Sequence, residues 1–198
     1  MGEIGRRLVH ASGIGFPALY LIGLADWTQL QYLLVLASVI AIVLEVFRLR
    51  YGLQEWWLYD RLTREYEEET IAGYALYLFS ITAVAFIFES TVAIPAMLML
   101  MFGDPVSGYL GSGELQTVKE WQSILAMLVV CLGVALPFTL GATNSAVTGV
   151  AAALLGAVFA TIADGVKPTV FDFVVDDNLT IPPAGAIGIW IVLTFAPV

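Results

Sequence analysis

At 198 residues, 60% of them hydrophobic and 13% charged, the chain is too apolar for the solvated surface of a soluble domain, and its mean hydropathy of +0.89 indicates an integral membrane protein. A net charge of −9 with only 8 basic residues excludes a nucleic-acid partner, because phosphate binding needs a basic surface. The same acidic, lysine-poor composition suits a salt-rich cytoplasm and a halophilic source.

Helices of about 17 to 20 apolar residues cross a hydrocarbon core of about 30 Å, and seven runs qualify as candidates. They fall at 8–24, 30–47, 71–88, 90–103, 122–140, 145–163 and 182–197. Backbone in lipid must satisfy its own hydrogen bonds, so the predicted class is an all-α integral membrane protein, a single polytopic domain over 1–198. The first run, in "RRLVHASGIGFPALYLIGLA", has the charged start of a signal peptide, but six further runs follow and it reads as a retained helix. Between the second and third runs, 53–70 predicts an interfacial helix. Leu58, Leu62 and Tyr66 recur every four residues, Trp56, Trp57 and Tyr59 suit the headgroup level, and Glu65 and Glu67 to Glu69 form a solvated face.

The fourth run is short unless "DPVSGYL" continues it. Cys131, the single cysteine, lies in the fifth and has no possible intrachain partner, so neither a disulfide nor a zinc site by spacing is expected. The sixth pairs Gly149 with Ala153, Ala152 with Gly156 and Gly156 with Ala160 at four-residue spacing, which lets helix backbones approach closely and predicts a central position. The seventh is expected to begin where Pro182 and Pro183 fix a helix start.

Basic residues set the expected orientation. A cytoplasmic N-terminus puts Arg6, Arg7, Arg48, Arg50, Arg61, Arg64, Lys119 and Lys167 on one side, while the opposite loops around Asp26, Glu89 and Asn144 carry none. The C-terminus is then outside. His10, Asp104, Lys119, Asp164, Lys167, Asp172, Asp176, Asp177 and Asn178 gather at the cytoplasmic face, as a site for a charged, water-soluble co-substrate requires.

Three stretches carry candidate chemistry. In "MFGDPVSGYLGSGELQTVKEW", Gly103, Gly108, Gly111 and Gly113 allow close backbone approach, Asp104 supplies a carboxylate at a membrane boundary and Lys119 a point charge, a set able to cradle a nucleotide phosphate with its Mg²⁺. Neither GxxxxGK[ST] nor the protein-kinase signature set is present, so any nucleotide site is of another class. In "RRLVH", Arg7 and the single histidine His10 lie three residues apart, and His10 could donate to a phosphate oxygen or shuttle a proton. "ADGVKPTVFDFVVDDNL" concentrates aspartates with Lys167 and Asn178, and Asp176, Asp177 and Asn178 offer the hard oxygens that suit Mg²⁺.

"RRLVH", then "GDPVSGYLG", then "DDNLTIP" together resemble the polyprenol kinase family: dolichol kinase, phytol kinase and CTP-dependent diacylglycerol kinase. Its pattern is a basic pair with a histidine three residues on, a Gly-Asp with a small residue and a Gly, a downstream lysine, and an Asp-Asn before Ile-Pro. The matching motifs span 6–182, nearly the whole chain, and the acidic composition makes a haloarchaeal, dolichol kinase-like member the expected form. The resemblance implies transfer of the γ-phosphoryl group of a nucleoside triphosphate, typically CTP, to the hydroxyl of a membrane lipid alcohol. It implies Asp104 and Asp177 as Mg²⁺ or base residues, Asn178 as a further ligand, and Lys119, Arg7 and His10 as phosphate contacts. The chain departs from the family after Lys119, where "EWQS" stands in place of a hydroxyl residue and a Glu-Gly. Two alternatives stay open: a lipid cytidylyltransferase, whose basic "PGHGG"-like ending is missing here, and a non-catalytic transporter or scaffold using the acidic residues as an ion path.

Overall fold

The computed structural model describes residues 12–51, 70–111, 118–166, 169–170 and 173–196. The expected interfacial helix, together with Arg7, His10, Gly113, Lys167 and Asp172, lies outside these residues. In chain order the helices are α1 (Gly15–Leu21), α2 (Trp27–Tyr51), α3 (Gly73–Ile87), α4 (Ser90–Leu98), a π-helical turn (Met99–Gly103), α5 (Asp104–Leu110), α6 (Trp121–Gly141), α7 (Ala146–Gly165) and α8 (Asp177–Phe195). Between α7 and α8, β1 (Thr169–Val170) and β2 (Phe173–Val174) pair antiparallel, Thr169 opposite Val174 and Val170 opposite Phe173. The chain packs as two compact units, Met1–Thr82 and Ala83–Val198.

Among the described residues, five helices are long and apolar enough to cross a membrane: Trp27–Tyr51, Ser90–Leu110, Trp121–Gly141, Ala146–Gly165 and Asp177–Phe195. Gly73–Ile87 is apolar but shorter. Large apolar side chains such as Leu36, Val39, Ile40, Val129 and Leu154 point outward, a surface that water would penalise and lipid favours. The protein is thus an all-α, multi-pass membrane protein.

In the first unit, α1 ends in a turn through Gly23, whose φ of 74° is open to glycine at little cost. Asp26 and Gln29 then start α2 with a reciprocal capping box: Gln29 N–H donates to Asp26 Oδ1 at 2.8 Å and Asp26 N–H to Gln29 Oε1 at 2.9 Å. Leu30, Leu34, Ser38, Ala41, Glu45 and Arg48 form the buried stripe of α2 at helical spacing. Its last polar pair closes a network. Glu45 Oε1 accepts from Arg48 Nε at 3.0 Å and from the Tyr74 hydroxyl at 2.5 Å, and Oε2 accepts from Arg48 Nη2 at 2.8 Å and Ala72 N–H at 3.0 Å. Arg48 also donates to the Thr70 carbonyl. One buried charge pair therefore ties the end of α2 to the start of α3.

The second unit is built around α7, which packs against both α6 and α8. Its small residues explain why. A Cβ on Gly188 of α8 would lie 2.7 Å from the Leu155 carbonyl oxygen, and one on Gly149 would lie 3.1 Å from that of Thr139, so these backbones are in direct contact. Dispersion over such close faces is what holds helices together where lipid removes the hydrophobic drive. The expected central place of the sixth run is observed.

Two boundaries differ from the sequence reading in an instructive way. The fourth run does continue through "DPVSGYL", because a π turn at Met99–Gly103 joins α4 to α5 in one path from Ser90 to Leu110. Pro105 cannot donate to the Met101 carbonyl and its ring crowds that oxygen; the wider π turn just before it absorbs the misfit. The start of the last helix is corrected. Pro182 and Pro183 lie inside α8, which begins five residues earlier at Asp177, because Asp176 caps it: its side chain accepts from Asn178 N–H at 2.9 Å, and Leu179 N–H bonds the Asp176 carbonyl at 3.1 Å. An aspartate cap outweighs the proline signal here, since the prolines disturb only the carbonyls of Asn178 and Leu179, near the helix end.

Candidate functional site

Three helix ends and one loop of the second unit meet at a buried group of charges. Asp104 is the first residue of α5, and Ser107, fully buried, follows it by three, on the same side of the helix. Asp164 sits in the last turn of α7 and is fully buried, and Asp177 opens α8 with 1% exposure. Lys119 precedes α6. Its backbone N–H donates to the Gly165 carbonyl at 3.0 Å, and Val118 bridges antiparallel to Val166, so the lysine runs beside the end of α7.

The side chains complete what the backbone sets up. Lys119 Nζ lies 2.6 Å from Asp164 Oδ1, 3.6 Å from Asp177 Oδ2 and 3.9 Å from Asp104 Oδ1, and it donates to Ser107 Oγ at 3.4 Å. Ser107 Oγ in turn donates to Asp164 Oδ2 at 2.6 Å. One carboxylate oxygen from each of Asp104, Asp164 and Asp177 falls within 4.8 Å of the others. Burial works against the charge on Lys119, but Asp164, then Asp177 and Asp104, outweigh it and hold its pKa above the ordinary 10.5. Stability from this ammonium is therefore fully present below pH 10.5 and is lost only as pH rises through the raised value.

Among the described residues, three carboxylates stand around one ammonium, and carboxylates are costly to bury without cationic partners. Carboxylate oxygens at this separation are hard donors of the kind that Mg²⁺ takes, commonly one or two from protein with water and phosphate filling the rest.

Asp176 has a different place. Its Oδ1 accepts from both the backbone N–H of Asn178 at 2.9 Å and the Asn178 side-chain amide at 2.6 Å, so it caps α8 and orients Asn178. Asn178 Oδ1 is buried and takes no hydrogen bond among the described residues. The glycines divide as well. A Cβ on Gly103 would meet Met127 Sδ at 2.5 Å, and one on Gly111 would meet Ser123 Oγ at 3.3 Å, whereas Gly108 has open space around it. Gly103 thus serves close packing beside Asp104, and Gly108 would accept a Cβ without a clash.

Of the residues singled out from sequence, Asp104, Lys119 and Asp177 come together, with Asp176 and Asn178 beside them on α8. Ser107 was not singled out from sequence, and Asp164 was read only as one of the polar groups at the cytoplasmic face, with no role of its own. Ser107 had a signal, three residues after Asp104 on one helix. Asp164 had a weaker one, a carboxylate closing a helix otherwise made of small and apolar residues. The chain matches no family model, no curated protein and no solved structure.

Proposed function

We propose that the protein is a lipid kinase of the polyprenol kinase type, transferring the γ-phosphoryl group of a nucleoside triphosphate, CTP by resemblance, to the hydroxyl of a membrane isoprenoid alcohol such as dolichol. The observation that carries the reading is the meeting of Asp104, Asp177 and Lys119 at one buried centre, since these lie in motifs far apart in sequence that together resemble that family. A helix-bound site at the end of apolar spans suits an acceptor whose chain stays in lipid while its hydroxyl reaches charged groups.

In this reading the chain crosses the cell membrane seven times, with the N-terminus and the site on the cytoplasmic face. Mg²⁺ held by the carboxylates would supply positive charge to the transferring phosphoryl group. The protein's own part is to gather Asp104 and Asp177 for that ion or for positioning the alcohol, and to set the Lys119 ammonium where phosphate oxygens gain negative charge. Asn178 offers a buried acceptor next to Asp177. Arg7 and His10 add phosphate contacts.

The test uses purified protein in detergent with Mg²⁺ and γ-labelled CTP or ATP, against dolichol, phytol, geranylgeraniol, diacylglycerol and dialkylglycerol. Label is expected in a lipid monophosphate, from CTP ahead of ATP. No labelled lipid under any pairing overturns the reading. A cytidylyl product made from a lipid phosphate transfers it to the cytidylyltransferase class.

A further inference from the structure

We propose that the π-helical turn at Met99–Gly103 is a positioning device: its one extra residue rotates α5 so that Asp104 and Ser107 face Lys119 and Asp164.

The rotation follows from how the turn closes. A π turn bonds i to i+5 rather than i+4, so it holds one residue more than an α turn, and one residue of α-helix is about 100° of rotation. Each side chain after the turn therefore points where its predecessor would point in an unbroken helix from Ser90. In such a straight path to Leu110, Val106 would take the direction of Ser107, and Gly103 that of Asp104. The Ser107 hydroxyl donates to Asp164 Oδ2 at 2.6 Å and accepts from Lys119 Nζ at 3.4 Å, and an isopropyl group would stand in its place. The Asp104 carboxylate, 3.9 Å from Lys119 Nζ, would give way to a residue with no side chain. Exposure fits the rotated phase: Phe102, Val106 and Leu110, each four apart, face outward, while Gly103 and Ser107 are buried.

Packing holds the turn in place. Gly103, its last residue, lies so close to α6 that a Cβ would stand 2.5 Å from Met127 Sδ and 3.1 Å from Cys131 Sγ. Met99, Leu100 and Met101 are buried as well. The turn is thus wedged against the helix that directly follows Lys119, which ties the rotation of α5 to the segment carrying the lysine. A kink would relieve Pro105 without turning α5. The wedged π turn does both.

Deleting Phe102 tests the device, because it removes the extra residue at the one position of the turn whose side chain is exposed. The path can then run as continuous α-helix with both of its faces still in phase. Inserting one alanine after Phe102 turns α5 by a further step of about 100°. Single cysteines at 106, 107 and 108 are placed in each full-length protein and labelled with N-ethylmaleimide in detergent; wild-type protein, whose one thiol Cys131 is buried, gives the blank. With wild-type spacing, 106 should label and 107 should be protected. The Phe102 deletion should keep that pattern, and the alanine insertion should move protection from 107 to 106. Protection that moves to 108 in the deletion protein overturns the proposal, as does protection that stays at 107 in the insertion protein, where packing rather than the turn would set the phase. The deletion protein should also keep its thermal midpoint nearer to wild type than the insertion protein does, and a deletion that is equally or more destabilising overturns the proposal as well. Lipid phosphorylation should survive the deletion and fall by about 10²-fold or more on insertion, the usual cost of misplacing groups at a reacting centre. A protein with no kinase activity would sink the kinase reading alone, because the labelling pattern reads the rotation without it.

Discussion

Two buried ionic clusters, one in each compact unit, use similar residues to opposite ends. Glu45 and Arg48 are one acid and one base, and both Glu45 oxygens receive two donors each. Among the described residues, the centre of Asp104, Asp164, Asp177 and Lys119 has three acids and one base, and Asp164 holds Lys119 and Ser107 at 2.6 Å. A balanced and saturated pair needs no ligand and acts as a tie between two helix ends. A cluster with more acids than bases is the kind that could take a further cation, and the proposed function puts its chemistry there. Burial alone did not distinguish the two, because Glu45 and Asp177 are both nearly inaccessible; the ratio of acids to bases among the described residues did.

The contrast breaks most visibly at Arg48. Arg48→Met strands the Glu45 carboxylate among the Tyr74 and Ala72 donors and should cost about 3–5 kcal/mol, seen as a lower thermal midpoint in detergent, as for other buried pairs that lose one partner. Glu45→Gln combined with Arg48→Met should recover part of that loss. Recovery of nothing would mean that the pair matters for packing rather than charge.

At the other cluster the same kind of change should strike function instead. Asp177→Asn is expected to reduce lipid phosphorylation by about 10²–10³-fold while the protein still inserts into membranes and keeps its thermal midpoint within a few degrees, since removing one of three neighbouring carboxylates relieves their mutual repulsion. Activity near wild type would remove Asp177 from the site.

The smallest expected effect concerns the scaffold beneath the charges. Gly188→Ala puts a Cβ 2.7 Å from the Leu155 carbonyl, forces α7 and α8 apart and should cost about 1–3 kcal/mol. It should also lower activity, because Asp164 and Asp177 ride on those two helices. Gly133→Ala on α6, where nothing lies within 4 Å, serves as the control and should be neutral or stabilising by up to about 1 kcal/mol. Equal losses from both would show that the close approach of α7 and α8 contributes nothing specific.

The small-residue spacing of 145–163 was legible because Gly149, Ala152, Ala153, Gly156 and Ala160 fall on one helix face whatever surrounds it, and all five are buried. Asp104 and Asp177 were legible as carboxylates at the edges of apolar runs, where a charge is expensive. Asp176 read identically to Asp177 in sequence, yet one caps α8 and the other faces Lys119. Adjacent helical positions differ by about 100° in direction, and only the start point of the helix decides which of them turns inward. Pro182 and Pro183 gave the wrong start point, so the sequence had no means to separate the two.

Hydropathy, helix class and the candidate acids follow from composition and local pattern, because each depends on a residue and its near neighbours in the chain. The partnership of Ser107, Lys119 and Asp164 does not. Those residues are 12, 45 and 57 positions apart pairwise, and their meeting depends on the antiparallel bridge at Val118 and Val166 and on helix ends that come level only when α5, α6, α7 and α8 pack. Long-range register of that kind is fixed by how side chains interlock across helices, and tertiary structure alone decides it.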